Sequence, residues 1–263
     1  MITILGILFF VFGIVIGSFL NVVIFRFNTS RTFGGHSGCM ACQKKLNWYE
    51  LFPIFSYLAL GGRCKGCKTK ISIQYPMVEL ISGLFFVGLF LKFQNLFFLN
   101  TLSFSITYAY YATIFSLLLV IAVYDLKHKI IPDTLSLILG VLAFLGLFFF
   151  NSFGFYPHFP VLIELLSGVF ISLPFALMWL ISKGTWMGLG DAKIAISLGW
   201  VLGISMALSG IVIAFWVGAL VGIFLMIFSK KYGMKSEIPF APFLVLSSIF
   251  AFLLTLHLFP FGF

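Results

Sequence analysis

Apolar stretches of about 20 residues, separated by short polar turns, recur along the whole chain, and that is the length of one α-helix across the hydrocarbon core of a bilayer. They cover Ile2–Phe25, Met77 to about Leu99, Leu102–Tyr124, Thr134–Phe150 and Val161–Ile181, with a last one from Pro239 to about Leu258. The run from Ile194 to Phe228 is too long for one ordinary span and suits two short ones, with a turn expected near Ser209-Gly210. At 62% hydrophobic and 9% charged residues, the composition excludes a soluble core. The expected fold is all-α: a polytopic membrane helix bundle of about eight transmembrane helices.

The net charge of +9 would suggest nucleic acid in a soluble chain. Here the basic residues sit in loops between apolar runs, where they orient the spans, so no nucleic-acid partner is expected and membrane lipid is. The first run has no Lys or Arg before it and Arg26 and Arg31 after it, the reverse of a secretory signal. That predicts an uncleaved first span with its N-terminus outside and the following loop in the cytoplasm. With Lys230, Lys231 and Lys235 also inside, every one of the 16 Lys and Arg residues except Lys92 falls on the cytoplasmic side. The 36 Phe residues read as lipid-facing bulk and carry no assigned chemistry.

The loop at 26–75 breaks the apolar pattern and holds all four cysteines as two C-x-x-C pairs, Cys39/Cys42 and Cys64/Cys67. Two such knuckles can close a tetrahedral tetrathiolate site of the kind Zn²⁺ prefers, structural because no coordination position is left open. Lys65 and Lys68 favour the thiolates, and Gly66 is expected to allow the tight turn. The alternatives are an iron–sulfur centre, two disulfides or four free thiols; a cytoplasmic loop argues against disulfides.

Seven acids in 263 residues make each one countable. Asp125, Asp133 and Asp191 all fall at expected cytoplasmic membrane borders, where acids are functional suspects. Asp133 follows Pro132 and reads as a helix cap. Asp125 has a plain reading as a flanking residue paired with Lys127 or Lys129. Asp191 lies in Gly188-Leu189-Gly190-Asp191-Ala192-Lys193, where two glycines permit close approach to another element. If Asp125 and Asp191 meet, they cannot both ionise easily and hold one proton between them, which is aspartic protease chemistry. Glu50 and Glu79 read equally as loop packing or as a second polar site, Glu164 lies near the outer surface, and Glu237 pairs with Lys235.

Several blocks in order then resemble the type IV prepilin peptidases, GxGD-type aspartic proteases of membranes. They are Gly17–Val23 with Arg26, the two C-x-x-C pairs, Leu46–Glu50, Tyr75–Glu79, Asp125-Leu126 with Ile131–Asp133, Gly188–Asp191 with Lys193, and Ile238–Phe243. Gln74, His36 and Ala241 depart from the family pattern. The resemblance implies that Asp125 and Asp191 are the catalytic pair, supported by Gly188, Gly190 and Lys193. It implies prepilins or pilin-like proteins as substrates, cut after Gly on the cytoplasmic face of the bacterial inner membrane. It also implies methylation of the new N-terminus from S-adenosylmethionine, with Glu50 and Glu79 as possible site residues. On this reading residues 1–101 form a methyltransferase-associated region with the zinc loop, and 102–263 form the peptidase domain. The competing reading is a transporter or assembly component whose acids bind ions or protons; it expects acids near the midplane of broken helices rather than at borders.

Overall fold

Backbone N–H and C=O groups in hydrocarbon must satisfy one another, and the apolar runs accordingly form helices. In the computed structural model these are α1 (Ile2–Arg26), α3 (Gln74–Leu99), α4 (Thr101–His128), α5 (Asp133–Gly146), α6 (Leu162–Ser182), α7 (Leu189–Phe228) and α8 (Ala241–Leu253), with a short α2 (Phe55–Ala59) after a 3-10 turn at Trp48–Leu51. The structure describes residues 1–29, 32, 34–151, 153–228, 233 and 237–258. Arg31, Lys230, Lys231 and Lys235, which carry part of the orientation argument, lie outside the described residues. Five helices, α1, α3, α4, α6 and α7, are long and apolar enough to cross a membrane, and α5 and α8 are shorter apolar helices.

The chain divides into two compact units, Met1–Leu91 and Lys92–Phe263. In the first, α1 and the start of α3 pack through small residues, the usual way for helices in lipid to approach closely. A Cβ on Gly13 would stand 2.6 Å from that of Phe86, and one on Gly17 would stand 2.7 Å from the Cα of Glu79. Ser82 Oγ donates to the Gly13 carbonyl at 2.8 Å, and Asn21 Nδ2 to the Tyr75 carbonyl at 3.1 Å, so the buried polar groups hold the same contact.

In the second unit α4 is buried along one side from Phe104 to Phe115 and on all sides from Leu118 to Asp125. Asn100 starts it by accepting from the backbone N–H groups of Leu102 and Ser103. Phe252 of α8 packs on Tyr111 and Phe115 of α4. Lys92 Nζ donates to the Phe252 carbonyl at 2.7 Å, which gives this isolated charge a partner at the C-terminal end of α8.

The 40 residues of α7 would extend about 60 Å if straight. Its first arm runs antiparallel to α6, with Gly199 against Gly168 and Trp200 Nε1 donating to the Leu165 carbonyl at 3.0 Å. A straight continuation would carry Phe215 past the beginning of α6, yet its ring stacks 6.3 Å from that of Phe175. The chain reverses at Gly203, whose φ of 72° and ψ of 171° suit glycine. The turn expected at Ser209-Gly210 is thereby corrected: Gly210 is helical, and a Cβ there would meet Ser248 of α8 at 2.8 Å. With its two arms counted apart, α7 brings the apolar helical segments among the described residues to eight.

Candidate active site

Asp125 lies in the last turn of α4 and is 5% exposed, and Asp191 lies in the first turn of α7 and is 7% exposed. Burying an acid is costly without a partner. The Asp125 carboxylate accepts the backbone N–H of Ala241, the first residue of α8, where a helix has unpaired donors to offer. Asp191 Oδ1 is buried with no hydrogen-bond partner among the described residues. The two carboxylates are close enough for their charges to act on each other. Two acids far apart in sequence are thus brought together at one end of the second unit.

The glycines of the preceding loop do different work. A Cβ on Gly190 would stand 2.8 Å from that of Ile131, so absence of a side chain lets the start of α7 close on the α4–α5 connection. At Gly188 the nearest atom to an added Cβ is the Gly190 backbone nitrogen at 3.9 Å. Lys193, two residues beyond Asp191, forms an ion pair with Asp133 and ties α7 to α5. The cap expected of Asp133 is not made: Pro132 holds the N-cap position, and Asp133 is the exposed first residue of α5. Glu237 pairs with Lys129 at 3.9 Å; its expected partner Lys235 lies outside the described residues. Glu164 caps the start of α6 by accepting the Val161 N–H.

A cavity of about 610 Å³ runs between α5 and the first arm of α7. Asp133 and Lys193 line it with Ser136 and Ser197, and Phe144 and Trp200 add aromatic walls.

In the first unit the two cysteine pairs fold as matching knuckles. Cys39 N–H donates to the Lys44 carbonyl and Cys64 N–H to the Thr69 carbonyl, while Gln43 and Lys68 return the bond to the two cysteine carbonyls. Gln43 and Lys68, one residue past each pair, both take the left-handed conformation, with φ of 57° and 58°. Gly66 lies within the second turn, as expected, and its missing side chain leaves room for Lys44 and the sulfurs of Cys42 and Cys64, while the left-handed residue that closes each turn is Gln43 or Lys68. All four cysteines are free and their sulfurs lie within 4.8 Å of one another. The Cys39 and Cys67 sulfurs are 3.7 Å apart. A tetrahedron with Zn–S bonds of about 2.3 Å requires about 3.8 Å between sulfurs, so the donors fit such an ion.

Crowded thiols also compete over their protons. The Thr69 hydroxyl, 3.2 Å from Cys67 Sγ, and the Thr69 backbone N–H pull the Cys67 thiol down to about 6. The backbone N–H groups of Cys42 and Ala41 hold Cys39 below its ordinary value. For Cys42 the Lys44 N–H favours the thiolate, but the sulfurs of Cys67, Cys39 and Cys64 together with burial outweigh it and push the thiol up to about 11.

Glu50 and Glu79 are both buried in this unit, at 7% and 6% exposure. Glu50 Oε2 accepts the Asn47 N–H at 2.8 Å and completes a capping box around Trp48–Leu51. Glu79 accepts the Ile54 N–H through Oε2 at 2.7 Å and also bonds the Ser18 hydroxyl, joining α3 to the start of α2 and to α1. Of the groups that hold the acids, Ala241 and Ser18 stood in the sequence only as members of resemblance blocks, and Thr69, which acts on the Cys67 thiol, carried no local signal.

Residues 11–93 match the model of the bacterial peptidase A24 N-terminal domain, and residues 112–227 that of the type IV leader peptidase family. A prepilin leader peptidase/N-methyltransferase of Neisseria gonorrhoeae is 32% identical over 81% of this chain and 78% of its own. The chain belongs to the type IV leader peptidase family. Another relative of that printed name, from Myxococcus xanthus, is 33% identical over 87% of this chain, which covers 65% of the relative, just under two thirds of its length. The Bacillus subtilis relative is 29% identical and the match covers 93% of this chain and 92% of the relative. No solved structure is significantly similar to the chain. Both halves of this leader peptidase family member thus carry a family signature, one over the cysteine loop and one over the aspartates.

Proposed function

We propose that the chain is a multi-pass enzyme of the bacterial inner membrane that removes the leader of type IV prepilins or pilin-like proteins after Gly and then methylates the new N-terminus. The observation that carries the reading is the buried pair Asp125 and Asp191, one oxygen of which has no partner among the described residues. Such a pair holds one proton between two carboxyl groups. The charged member takes a proton from water as the water oxygen attacks the peptide carbonyl carbon, and the protonated member gives its proton to the carbonyl oxygen. In the collapse of the resulting diol, the first acid returns its proton to the leaving nitrogen as the C–N bond breaks. The second recovers a proton from a diol hydroxyl, which leaves the pair with one proton again. Lys193 and Gly190 support Asp191, with Gly188 in the same loop. The cavity between α5 and the first arm of α7 suits the apolar segment of the substrate.

The loop at 26–75 holds one structural Zn²⁺ through Cys39, Cys42, Cys64 and Cys67, whose fourfold thiolate charge a divalent cation would halve. Residues 1–101 serve methyl transfer and residues 102–263 serve peptide hydrolysis. S-adenosylmethionine supplies the methyl group. Glu50 and Glu79 each accept a backbone N–H through Oε2, and a carboxylate has a second oxygen to offer a hydroxyl or ammonium group. The N-terminus lies outside, and the cysteine loop and both aspartates face the cytoplasm, as the distribution of Lys and Arg supports.

The reading is tested with purified protein in lipid vesicles, a prepilin with a Gly-Phe junction, and mass spectrometry of the product. Leader removal by the wild type and its loss in Asp125→Asn and in Asp191→Asn are expected. An intact leader with the wild type, or near wild-type cleavage by either variant, overturns it.

A further inference from the structure

The loop that leaves the membrane between Arg26 and Gln74 is sorted inside out. Trp48 is 79% exposed, Phe55 66% and Leu58 68%, and Leu51 and Phe52 are exposed beside them. Trp48 and Leu51 are three residues apart in the 3-10 turn, and Phe55 and Leu58 three apart in α2, so each pair shares a side of its element. Aromatic rings meet on the outside, Trp48 with Tyr49 at 5.9 Å between centroids and Phe52 with Phe55 at 6.1 Å. The acids are within: Glu50 and Glu79 are buried and hold the backbone of this segment at Asn47 and Ile54. A surface facing water sorts the other way, with carboxylates out and large apolar rings in.

The charge around this face has one sign. Lys44, Lys45, Arg63, Lys65, Lys68 and Lys70 are all exposed, and the one acid between residues 26 and 75 is the buried Glu50. Lys65 Nζ stands 3.3 Å from the Tyr49 hydroxyl and 5.1 Å from the centre of its ring, which places a cation at the edge of the aromatic group. Aromatic rings with lysines beside them are the composition of a surface that enters the headgroup layer of a bilayer, rings toward the acyl chains and ammonium groups on phosphate. The tether agrees: α1 ends at Arg26 and α3 begins at Gln74, so both ends of the loop are fixed to apolar helices.

We propose that the face formed by Trp48, Leu51, Phe52, Phe55 and Leu58 is a membrane-docking surface that lies in the headgroup layer and takes anionic phospholipid. It fixes the cysteine loop against the bilayer whether or not the acids act as assigned above. A local concentration of basic residues near an anionic leaflet strengthens such docking.

The test uses the full chain in vesicles of equal parts phosphatidylglycerol and phosphatidylcholine, with plain or brominated acyl chains. The emission of Trp48 is isolated by subtracting that of Trp48→Phe, a variant that keeps an aromatic ring and whose fold is checked by its metal content. Docking predicts that the Trp48 emission loses most of its intensity in brominated lipid, and that the loss shrinks when phosphatidylglycerol is replaced by phosphatidylcholine. Equal Trp48 emission in plain and brominated lipid overturns the proposal and leaves the face to a protein partner. Equal quenching with and without phosphatidylglycerol overturns the choice of anionic lipid.

Discussion

Gly190 approaches Ile131 so closely that an added Cβ would stand 2.8 Å from the isoleucine Cβ, and this contact sets where the following residue, Asp191, enters the second unit. Gly190→Ala should therefore displace Asp191 at an overpacking cost of about 1–3 kcal/mol. Misplacing a reacting group by about 1 Å can cost roughly 100-fold in rate. Cleavage should fall by at least tenfold, about 1.4 kcal/mol at the barrier, with the protein still in the membrane, and Ile131→Ala should recover part of it in the double variant. Gly188→Ala, with no such neighbour, should remain close to wild type in the same cleavage assay.

Removing one carboxylate of the pair should cost about 10²–10⁴-fold in cleavage, the usual weight of general acid–base catalysis. Asp125→Asn and Asp191→Asn are both expected to show it while thermal unfolding in detergent remains cooperative. Asp133→Asn loses an exposed ion pair with Lys193, worth about 0.2–1 kcal/mol, and should stay within a few-fold of wild type. Equal losses in all three variants would remove the distinction between the pair and Asp133.

The cysteine loop should carry one zinc per chain by elemental analysis, and each Cys→Ser change should lower both metal content and loop stability. After chelation, alkylation should follow thiolate content: Cys67, drawn down to about 6, reacts first near neutral pH, and Cys42, pushed up to about 11, reacts last. The signs are opposite in stability too. Cys67 favours the folded loop fully above its ordinary value of 9.0, and this contribution is lost as pH falls through about 6. Cys42 contributes below 9.0 and its contribution is lost as pH rises through about 11. Mass spectrometry of the alkylated sites across pH checks the order; equal rates at Cys42 and Cys67 would refute it.

Glu79→Gln keeps an oxygen that can accept the Ile54 N–H, so the loop should stay folded and leader removal should stay within about twofold, less than the ordinary cost of one hydrogen bond. The methylated fraction of the mature substrate should fall. Full methylation by this variant would take Glu79 out of the methyl-transfer site.

The apolar runs determined the helices by themselves, because bilayer thickness and self-satisfied backbone bonds leave a run of that length little else to form. Two C-x-x-C pairs likewise determined a four-thiol cluster, since each knuckle is local: the left-handed residue follows the second cysteine in both. What was ambiguous was glycine. Gly199, Gly203 and Gly210 stand in one apolar run, and a glycine is equally a place to turn and a place to be touched. Tertiary packing separated the uses: Gly199 lies against Gly168 of α6, Gly210 lies against Ser248 of α8, and Gly203, with nothing within 4 Å of an added Cβ, takes the positive φ. Asp133 shows the same limit, since its place after Pro132 suggested a cap, while its partner Lys193 is 60 residues away. Asp125 and Asp191 were suspects by scarcity, by border position, by the glycines that precede Asp191 and by the family resemblance. Their meeting, and the N–H that Ala241 offers to Asp125, came only from the tertiary structure, because a hydrogen-bond donor on the backbone leaves no mark in the identity of its residue.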